Sequence, residues 1–502
     1  MEEIESYRIK ANELDLEVSI TRREGNIKQY HLIIPYLNPA TLALMEHIKS
    51  QLVTTVAVSS AEVLEPKAID KLKIKFKEQA AILIRNALPN IDEETLHFLL
   101  SVLIQETLGL DKVEYLVNDD NLEEIVITSS KEPIRVYHKK HGWLITNLVI
   151  SSESQIQNIA NIIARRIGRQ VTTLSPMLDA HLMTGDRVNV VLFPVSTKGN
   201  SLTIRRFARD PWTVTDFIKN GTCNAKLFSL MWLAIQYEMN MLVSGGTASG
   251  KTTLLNLCMP FIPPNQRIIS IEDTRELNLP TFLYWCPLVT KEPNAEGKGE
   301  VSMLDLLINS LRMRPDRIIL GEMRTKEQAQ VLFEAMHTGH SVYATVHADS
   351  VKETIDRLTH PPIEVPPNLL ESVNLNIVMY RDRRKGLRRI YQVGEFIATE
   401  EEGKSIINPN IIFRWKPAED KVVAHNQPVN LFEELSRRTG MSLQEIKDDL
   451  NEKENILMAM VKQNIRQVEK VGDIMKDFYL DKESLLKRFK QKAGKNEVSK
   501  NV

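Results

Sequence analysis

Cysteine is scarce: Cys223, Cys258 and Cys286 are the only three in 502 residues. They stand alone, with neither a disulfide framework's even spacing nor a C-x-x-C pair, which argues against both stapling and a structural zinc module. A surplus of charge is missing too. Lys and Arg number 64 against 65 Asp and Glu, a net of −1, so no overall field draws the chain onto nucleic acid or an anionic membrane, and any such contact must be local. Long apolar runs are absent. Stretches such as Leu227 to Ile235 fall far short of the roughly 18 residues that span a bilayer. The N-terminus, MEEIESYRIK, opens acidic and lacks the apolar segment of a signal peptide. These absences predict a reduced, cytoplasmic protein. With 43% apolar and 26% charged residues over 502 positions, the composition is globular and the length implies about two to four domains.

What the chain does contain is a complete G-x-x-x-x-G-K-[ST] pattern: Gly245, Gly246, Thr247, Ala248, Ser249, Gly250, Lys251 and Thr252, followed by Thr253. The run Met241-Leu242-Val243 enters it as a buried strand, and Thr253 to Leu257 leaves it as a helix. Backbone N–H groups of such a loop, opening on a helix N-terminus, cradle a polyphosphate. Lys251 would then reach the β/γ-phosphates and the Thr252 hydroxyl would ligate Mg2+. The ordinary alternative is a Gly-rich surface turn, which the strand-loop-helix context disfavours.

Upstream, Leu14, Leu16, Val18 and Ile20 alternate with polar residues as in a half-buried strand. A second strand is expected at 30–36, then helices at 41–53, 66–87 and 93–109, the last capped by Asp92. Strands follow at 124–128, 134–138 and 144–150, and Ser152 with Gln155 forms a capping box for a helix to about 167. Two more strands, 187–194 and 201–207, precede a break at Ala208 to Trp212. Beyond it, strands at 241–244, 267–271, 317–320 and 341–346 alternate with helical segments, the rhythm of a doubly wound α/β sheet. A hairpin turns around Lys385-Gly386, and the chain past about 430 reads as charged helix.

Ligands of such a sheet sit at the carboxyl ends of its strands. There the strand 267–271 delivers Glu272 and Asp273, and 318–320 delivers Gly321 and Glu322. One acidic residue ending a strand is usually a helix cap. Two, downstream of a phosphate loop, suit water activation and water-mediated metal binding. His337, His340 and His347 flank the strand 341–346 and read as a group near the γ-phosphate rather than as metal ligands, although a core histidine is the commoner use.

In order, GGTASGKTT, SIEDTREL (270–277), RMRPDRIILGEMR (312–324) and HTGHSVYATVHAD (337–349) resemble the Walker A, Asp box, Walker B and His box of type II/type IV secretion ATPases. GDRVNVVLFP and SLTIRRFARDP are similar to that family's upstream arginine-bearing domain. The likeness is greatest to the archaeal branch, the ATPases of archaeal type IV pili and the archaellum. Two departures stand out: Lys291 replaces an expected arginine, and Gly321 occupies the place of a Walker B aspartate in other classes.

The resemblance implies an α/β chain with a RecA-like P-loop ATPase domain at 223–400, a linker at 210–222, an upstream α+β domain at 116–209, an N-terminal α+β docking region at 1–115 and a helical extension at 401–502. It implies ATP and Mg2+ as cofactors, a homohexameric ring with nucleotide between the upstream and ATPase domains, and Arg187 and Arg205 completing the site, with Arg206 a weaker candidate. Glu272, Glu322 and Lys251 would carry the chemistry, and Thr252 and Glu322 the metal. The implied partners are a polytopic membrane platform protein and, indirectly, pilin-like subunits, at the inner face of the membrane. The arginines can also be plain solvated strand charges. The helical stretch at 66–109 and the basic hairpin Arg381, Arg383, Arg384, Lys385, Arg388 and Arg389 are candidate docking surfaces, with core packing and a solvated edge as their ordinary explanations. A nucleic-acid-translocating RecA-like ATPase is the main alternative, a kinase or a nonhydrolysing scaffold more distant ones.

Overall fold

The computed structural model describes residues 2–11, 14–22, 28–35, 37–55, 66–167, 169–182, 185–206, 211–291, 293, 297–382, 384–401 and 404–489. The chain divides into two units, Met1–Arg209 and Asp210–Val502. The break expected at Ala208 to Trp212 brackets this division, although 207–210 lie outside the described residues.

The first unit contains β1 (Glu2–Ala11), β2 (Leu14–Arg22), β3 (Lys28–Ile33), α1 (Pro39–Thr55), α2 (Pro66–Ala87), α3 (Glu93–Leu108), α4 (Val113–Val117), β4 (Leu122–Ile127), β5 (Arg135–His138), β6 (Gly142–Thr146), α5 (Glu153–Arg166), β7 (Met177–His181), β8 (Arg187–Val191) and β9 (Ser201–Arg205). Its strands form one sheet in the order β1-β2-β3-β6-β5-β4-β9-β8-β7. The expected boundary between 115 and 116 is therefore corrected. β3 pairs in parallel with β6 through Gln29↔Ile145 and Tyr30↔Thr146, which carries the sheet across it. Leu16, Val18, Ile20, Ile125, Val188 and Ile204 share a single core. Helices α1–α3 enclose a smaller core around Leu52, Ala80, Ile84 and Leu103.

Local signals act as physics requires. Asp92 Oδ1 accepts the Thr95 amide at 2.8 Å and starts α3. Ser152 Oγ accepts the Gln155 amide at 3.2 Å, but the box is only half closed, because the Gln155 side chain donates to Asp111 Oδ2 at 2.6 Å instead.

The second unit holds α6 (Val214–Lys219), α7 (Ala225–Gln236), β10 (Met241–Gly245), α8 (Lys251–Cys258), β11 (Arg267–Glu272), β12 (Tyr284–Val289), α9 (Met303–Ser310), β13 (Arg317–Leu320), α10 (Lys326–His337), β14 (Ser341–Val346), α11 (Val351–Thr359), β15 (Leu375–Asp382), β16 (Leu387–Glu401), β17 (Lys404–Lys416), β18 (Lys421–Ala424), α12 (Asn430–Thr439), α13 (Leu443–Lys462) and α14 (Val468–Leu480). The sheet order is β12-β11-β13-β14-β10-β15-β16-β17-β18. The first six of these strands are mutually parallel, and the last three extend the sheet antiparallel.

Strand alternation divides the interior into two layers. Met241 and Val243 pack with α7, α8 and α12 to α14 on one face. Leu242 meets Ile318, Leu320 and the helices α9 to α11 on the other. Residues past 400 are thus part of this unit and not a helical extension, since β17 and β18 complete its sheet and Leu431, Ile446, Leu457 and Met475 fill its core. The linker span also proves structured from 214: Thr213 and Asp216 close a capping box at the start of α6.

Candidate functional site

β10 is buried along its whole length and ends at Gly245. At Gly245, φ is +147°, and an added Cβ would lie 2.5 Å from the Met379 carbonyl oxygen and 2.6 Å from Ser249 Oγ. Only glycine fits there. Ala248 (φ +60°) and Gly250 (φ +98°) continue the left-handed turn, and Gly250 caps α8. Beneath the loop, Ser244 Oγ accepts from Asn376 Nδ2 at 2.7 Å and from Thr354 Oγ1 at 2.9 Å, pinning the strand end to β15 and α11. Ser249 Oγ is buried without a hydrogen-bond partner among the described residues.

Lys251 folds back over this loop. Its Nζ donates to the carbonyl oxygens of Gly245 at 2.8 Å and Gly246 at 3.1 Å and lies 3.4 Å from His347 Nδ1. Burial holds its pKa below the usual lysine value, opposed by the charges of Glu322 and Asp349. Asp349 stands over the loop, with Oδ1 3.1 Å from where a Cβ on Gly246 would be.

The expected carboxylates come to the same edge of the sheet. Glu322 Oε1 lies 2.8 Å from His347 Nε2. Its Oε2 accepts from Arg324 Nε at 2.8 Å and Nη2 at 2.6 Å, while Arg324 Nη1 donates to Asp273 Oδ2 at 2.7 Å. Arg324 therefore ties the ends of β11 and β13 together. It stands two residues after Glu322, but nothing in the sequence assigned it this part. Glu272 is 2% exposed. Its Oε1 accepts the amides of Glu276 at 2.9 Å and Leu277 at 3.1 Å, and its Oε2 is buried with no partner among the described residues. Burial pushes its pKa up to about 7, against the pull of those two amides. A carboxyl poised there, with one free oxygen, suits proton abstraction at neutral pH. The Gly321 amide donates to the Ile271 carbonyl at 2.8 Å, its carbonyl accepts from Thr345 Oγ1 at 2.6 Å, and an added Cβ would lie 3.4 Å from Glu272 Cγ, so this position packs β13 between its neighbours.

The histidine group is corrected. His347 follows β14 and joins the site, whereas His340 precedes that strand and His337 ends α10. Six strand residues separate the two edges by about 20 Å. His340 Nδ1 instead meets Thr338 Oγ1 at 3.2 Å and the Ala335 carbonyl at 3.3 Å, closing the helix-to-strand turn. His347 itself has a lowered pKa, chiefly through burial and then through Lys251. Its contacts assign the proton to Nε2, which donates to Glu322 and leaves Nδ1 to accept from Lys251.

Among the described residues no three His, Cys, Asp or Glu side chains form a metal-binding group of their own. The Thr252 hydroxyl, on the first turn of α8, fits a cation that arrives with the nucleotide and keeps phosphate and water ligands. Both oxygens of Glu322 are already engaged, so its access to such a cation runs through water.

In the first unit Arg187 and Arg205 face one another across β8 and β9. Arg187 forms a fork with Asp179, Nε to Oδ1 at 3.1 Å and Nη2 to Oδ2 at 2.5 Å. Arg205 is exposed. Arg206 points the other way: its side chain is 3% exposed, it donates to the Asp119 carbonyl, and it lies 3.8 Å from Asp186. It is a structural residue. Lys291 forms a backbone bridge with Val301, at 3.0 and 2.8 Å.

The sequence pattern of the family described as "Type II/IV secretion system protein" matches residues 113–384. An uncharacterized protein of Methanocaldococcus jannaschii is 36% identical over 388 residues, 76% of this chain and 69% of its own length. A second from the same organism is 37% identical over 67% of this chain, which spans only 46% of that relative. The type IV secretion system protein PtlH of Bordetella pertussis is 34% identical over 282 residues, 50% of this chain and 83% of its own. The crystal structure of the VirB11 ATPase from the Brucella suis type IV secretion system is 24% identical, covers 56% of this chain and 90% of its own, and has a TM-score of 0.30. With its phosphate loop, its two strand-end glutamates and its archaeal relatives, the chain belongs to the type II/IV secretion system family and is an ATPase of that family's archaeal branch.

Proposed function

We propose that the chain is a homohexameric motor that hydrolyses MgATP to assemble or move a type IV pilus-like filament: an archaeal pilus, a secretion system or an archaellum. The observation that carries this is the convergence of Lys251, His347 and Glu322 at the phosphate loop, with Glu272 at the end of β11 beside the Gly321-Glu322 strand end. Lys251 neutralises the β/γ-phosphates, and the loop's N–H groups hold them in line. The magnesium ion bound with the nucleotide supplies charge for the developing phosphate. Glu272 takes the proton of the attacking water through its free oxygen, and Glu322 orients that water.

Arg205, exposed and without a carboxylate partner among the described residues, supplies the positive charge that phosphoryl transfer requires, with Arg187 released from Asp179 to join it. In a ring, heterologous contacts repeat, so each subunit's nucleotide state is felt by the next. Among the described residues no helix is long and apolar enough to cross a membrane. Force therefore passes to a polytopic membrane platform protein, and through it to pilin-like subunits, with the motor on the cytoplasmic face.

The test mixes two inactive variants. Lys251→Ala and Arg205→Ala should each abolish hydrolysis, and verified mixed rings should regain part of it, because an intact loop then meets an intact arginine. Hydrolysis by Lys251→Ala alone would sink the site. Hydrolysis stimulated by DNA would favour the nucleic-acid-translocating reading.

A further inference from the structure

The β15–β16 hairpin carries a cation to the phosphate loop from the side opposite the carboxylates. In the sheet, β10 lies between β14 and β15. Lys251, His347 and Glu322 gather toward β14 and β13, the flank to which the proposed hydrolysis is assigned. On the other flank, Arg388 of β16 donates from Nε to the Ala248 carbonyl at 3.3 Å, and its Cδ lies 3.6 Å from where a Cβ on Gly250 would stand. Among the described residues its terminal amines have no hydrogen-bond or ion-pair partner, and the side chain is exposed.

The hairpin's own geometry adds a second argument. Arg388 lies in register with Arg381 of β15. Two like charges directly opposite each other repel across a sheet, and an anion beside them would relieve that repulsion. The next residue, Arg389, is by contrast buried and held by both oxygens of Asp420 at 2.7 Å, which fixes the hairpin in place. The hairpin thus uses one arginine as its anchor and leaves its neighbour against the loop with, among the described residues, no ion-pair partner.

We propose that Arg388 is a nucleotide-binding residue that contacts the phosphate nearest the nucleoside, from the same chain as Lys251. This rests on the nucleotide site proposed above. With Lys251, His347 and Glu322 assigned to the terminal phosphate on the β14 flank, the nucleoside end of a nucleotide lying along the loop would fall toward β15 and Arg388. That phosphate is common to ATP and ADP and its charge changes little during hydrolysis. Arg388 therefore supports binding in the ground and transition states alike, whereas an arginine acting on the reacting phosphate would raise kcat.

The experiment compares the full chain with Arg388→Gln and Arg388→Lys, measuring ADP affinity, KM and kcat for MgATP, and the salt dependence of ADP binding. The expected result for Arg388→Gln is about a tenfold loss of ADP affinity, a matching rise in KM, kcat within about twofold of the parent and a shallower salt dependence. Arg388→Lys, which keeps the charge, should recover part of the affinity and carries the test if the glutamine variant does not fold. Unchanged ADP affinity, or a fall in kcat with KM unchanged, overturns the proposal. Lys251→Ala run alongside separates the two levels, since unchanged ADP affinity and hydrolysis in that variant would count against the site itself.

Discussion

His347 Nδ1 stands 3.4 Å from Lys251 Nζ while its Nε2 holds Glu322 at 2.8 Å. One neutral imidazole thus links the lysine of the phosphate loop to the glutamate at the end of β13. His347→Ala should leave ADP affinity within about twofold and lower kcat at least about tenfold, because Glu322 loses its alignment. Steady-state kinetics beside ADP titrations check this, and an unchanged kcat would remove His347 from the mechanism. The sign for stability is fixed as well. The folded pKa lies below 6.5, so this residue's contribution is fully present above pH 6.5 and is lost as pH falls through the folded value.

Glu272 gives the opposite dependence. Its pKa rises from 4.5 to about 7 on folding, so its contribution to stability is fully present below pH 4.5 and is lost as pH rises through about 7. Glu272→Gln should therefore be as stable as the parent near pH 4.5 and more stable by about 2–4 kcal/mol at pH 8. The same substitution should abolish hydrolysis, while the parent's rate climbs as pH passes through about 7. Melting curves across pH and a pH–rate profile test both. A stability difference that does not vary with pH would contradict the buried carboxyl.

Two glycines of one loop should respond unequally. Gly245→Ala drives a Cβ to 2.5 Å from the Met379 backbone oxygen at a φ of +147° and should cost about 2 kcal/mol or more together with nucleotide binding. At Gly250 the nearest atoms are Met379 Cε and Arg388 Cδ, at the ordinary contact distances of 3.4 and 3.6 Å, so only the strain of φ +98° remains. Gly250→Ala should cost about 1 kcal/mol. Chemical denaturation ranks the two, and equal losses would show that backbone crowding is not what selects Gly245.

Legibility followed the range of the interactions. The Asp92 cap and the strands leading to Gly245, Glu272, Glu322 and His347 were readable because each is specified within a few residues. The merger of the N-terminal hairpin with the later strands was not, since it depends on Tyr30 meeting Thr146. Likewise β1, whose Ile9 and Ala11 are buried behind a run of charged residues, shows little alternation of its own. The phosphate loop identified Lys251 at once, yet Arg388 reaches the same loop across 140 residues of chain. His340 was grouped with His347 because they are near in sequence, but one strand's length parts them.

Arg205 and Arg206 should separate cleanly. Arg205→Ala, at an exposed position, should change stability by no more than about 0.5 kcal/mol and lower kcat by roughly 10^3 or more. Arg206→Ala withdraws a buried guanidinium from the Asp119 carbonyl and from Asp186, which is 1% exposed. It should destabilise the chain by about 2 kcal/mol or more. Urea unfolding and initial rates on both variants decide the matter. Full activity in Arg205→Ala would remove it from the reaction.

These two arginines are chemically identical and adjacent at the end of β9, and the alternation of the strand, carried one residue further by the Arg206 amide on the Glu123 carbonyl, sets them apart. Sliding that strand by one place against β4 and β8 would bring the sequestered guanidinium into the open and bury the available one. The parity of a single strand therefore decides which of two equal cations is offered to a partner molecule, and an insertion or deletion of one residue in the turn before Ser201 would be as damaging to Arg205 as replacing it.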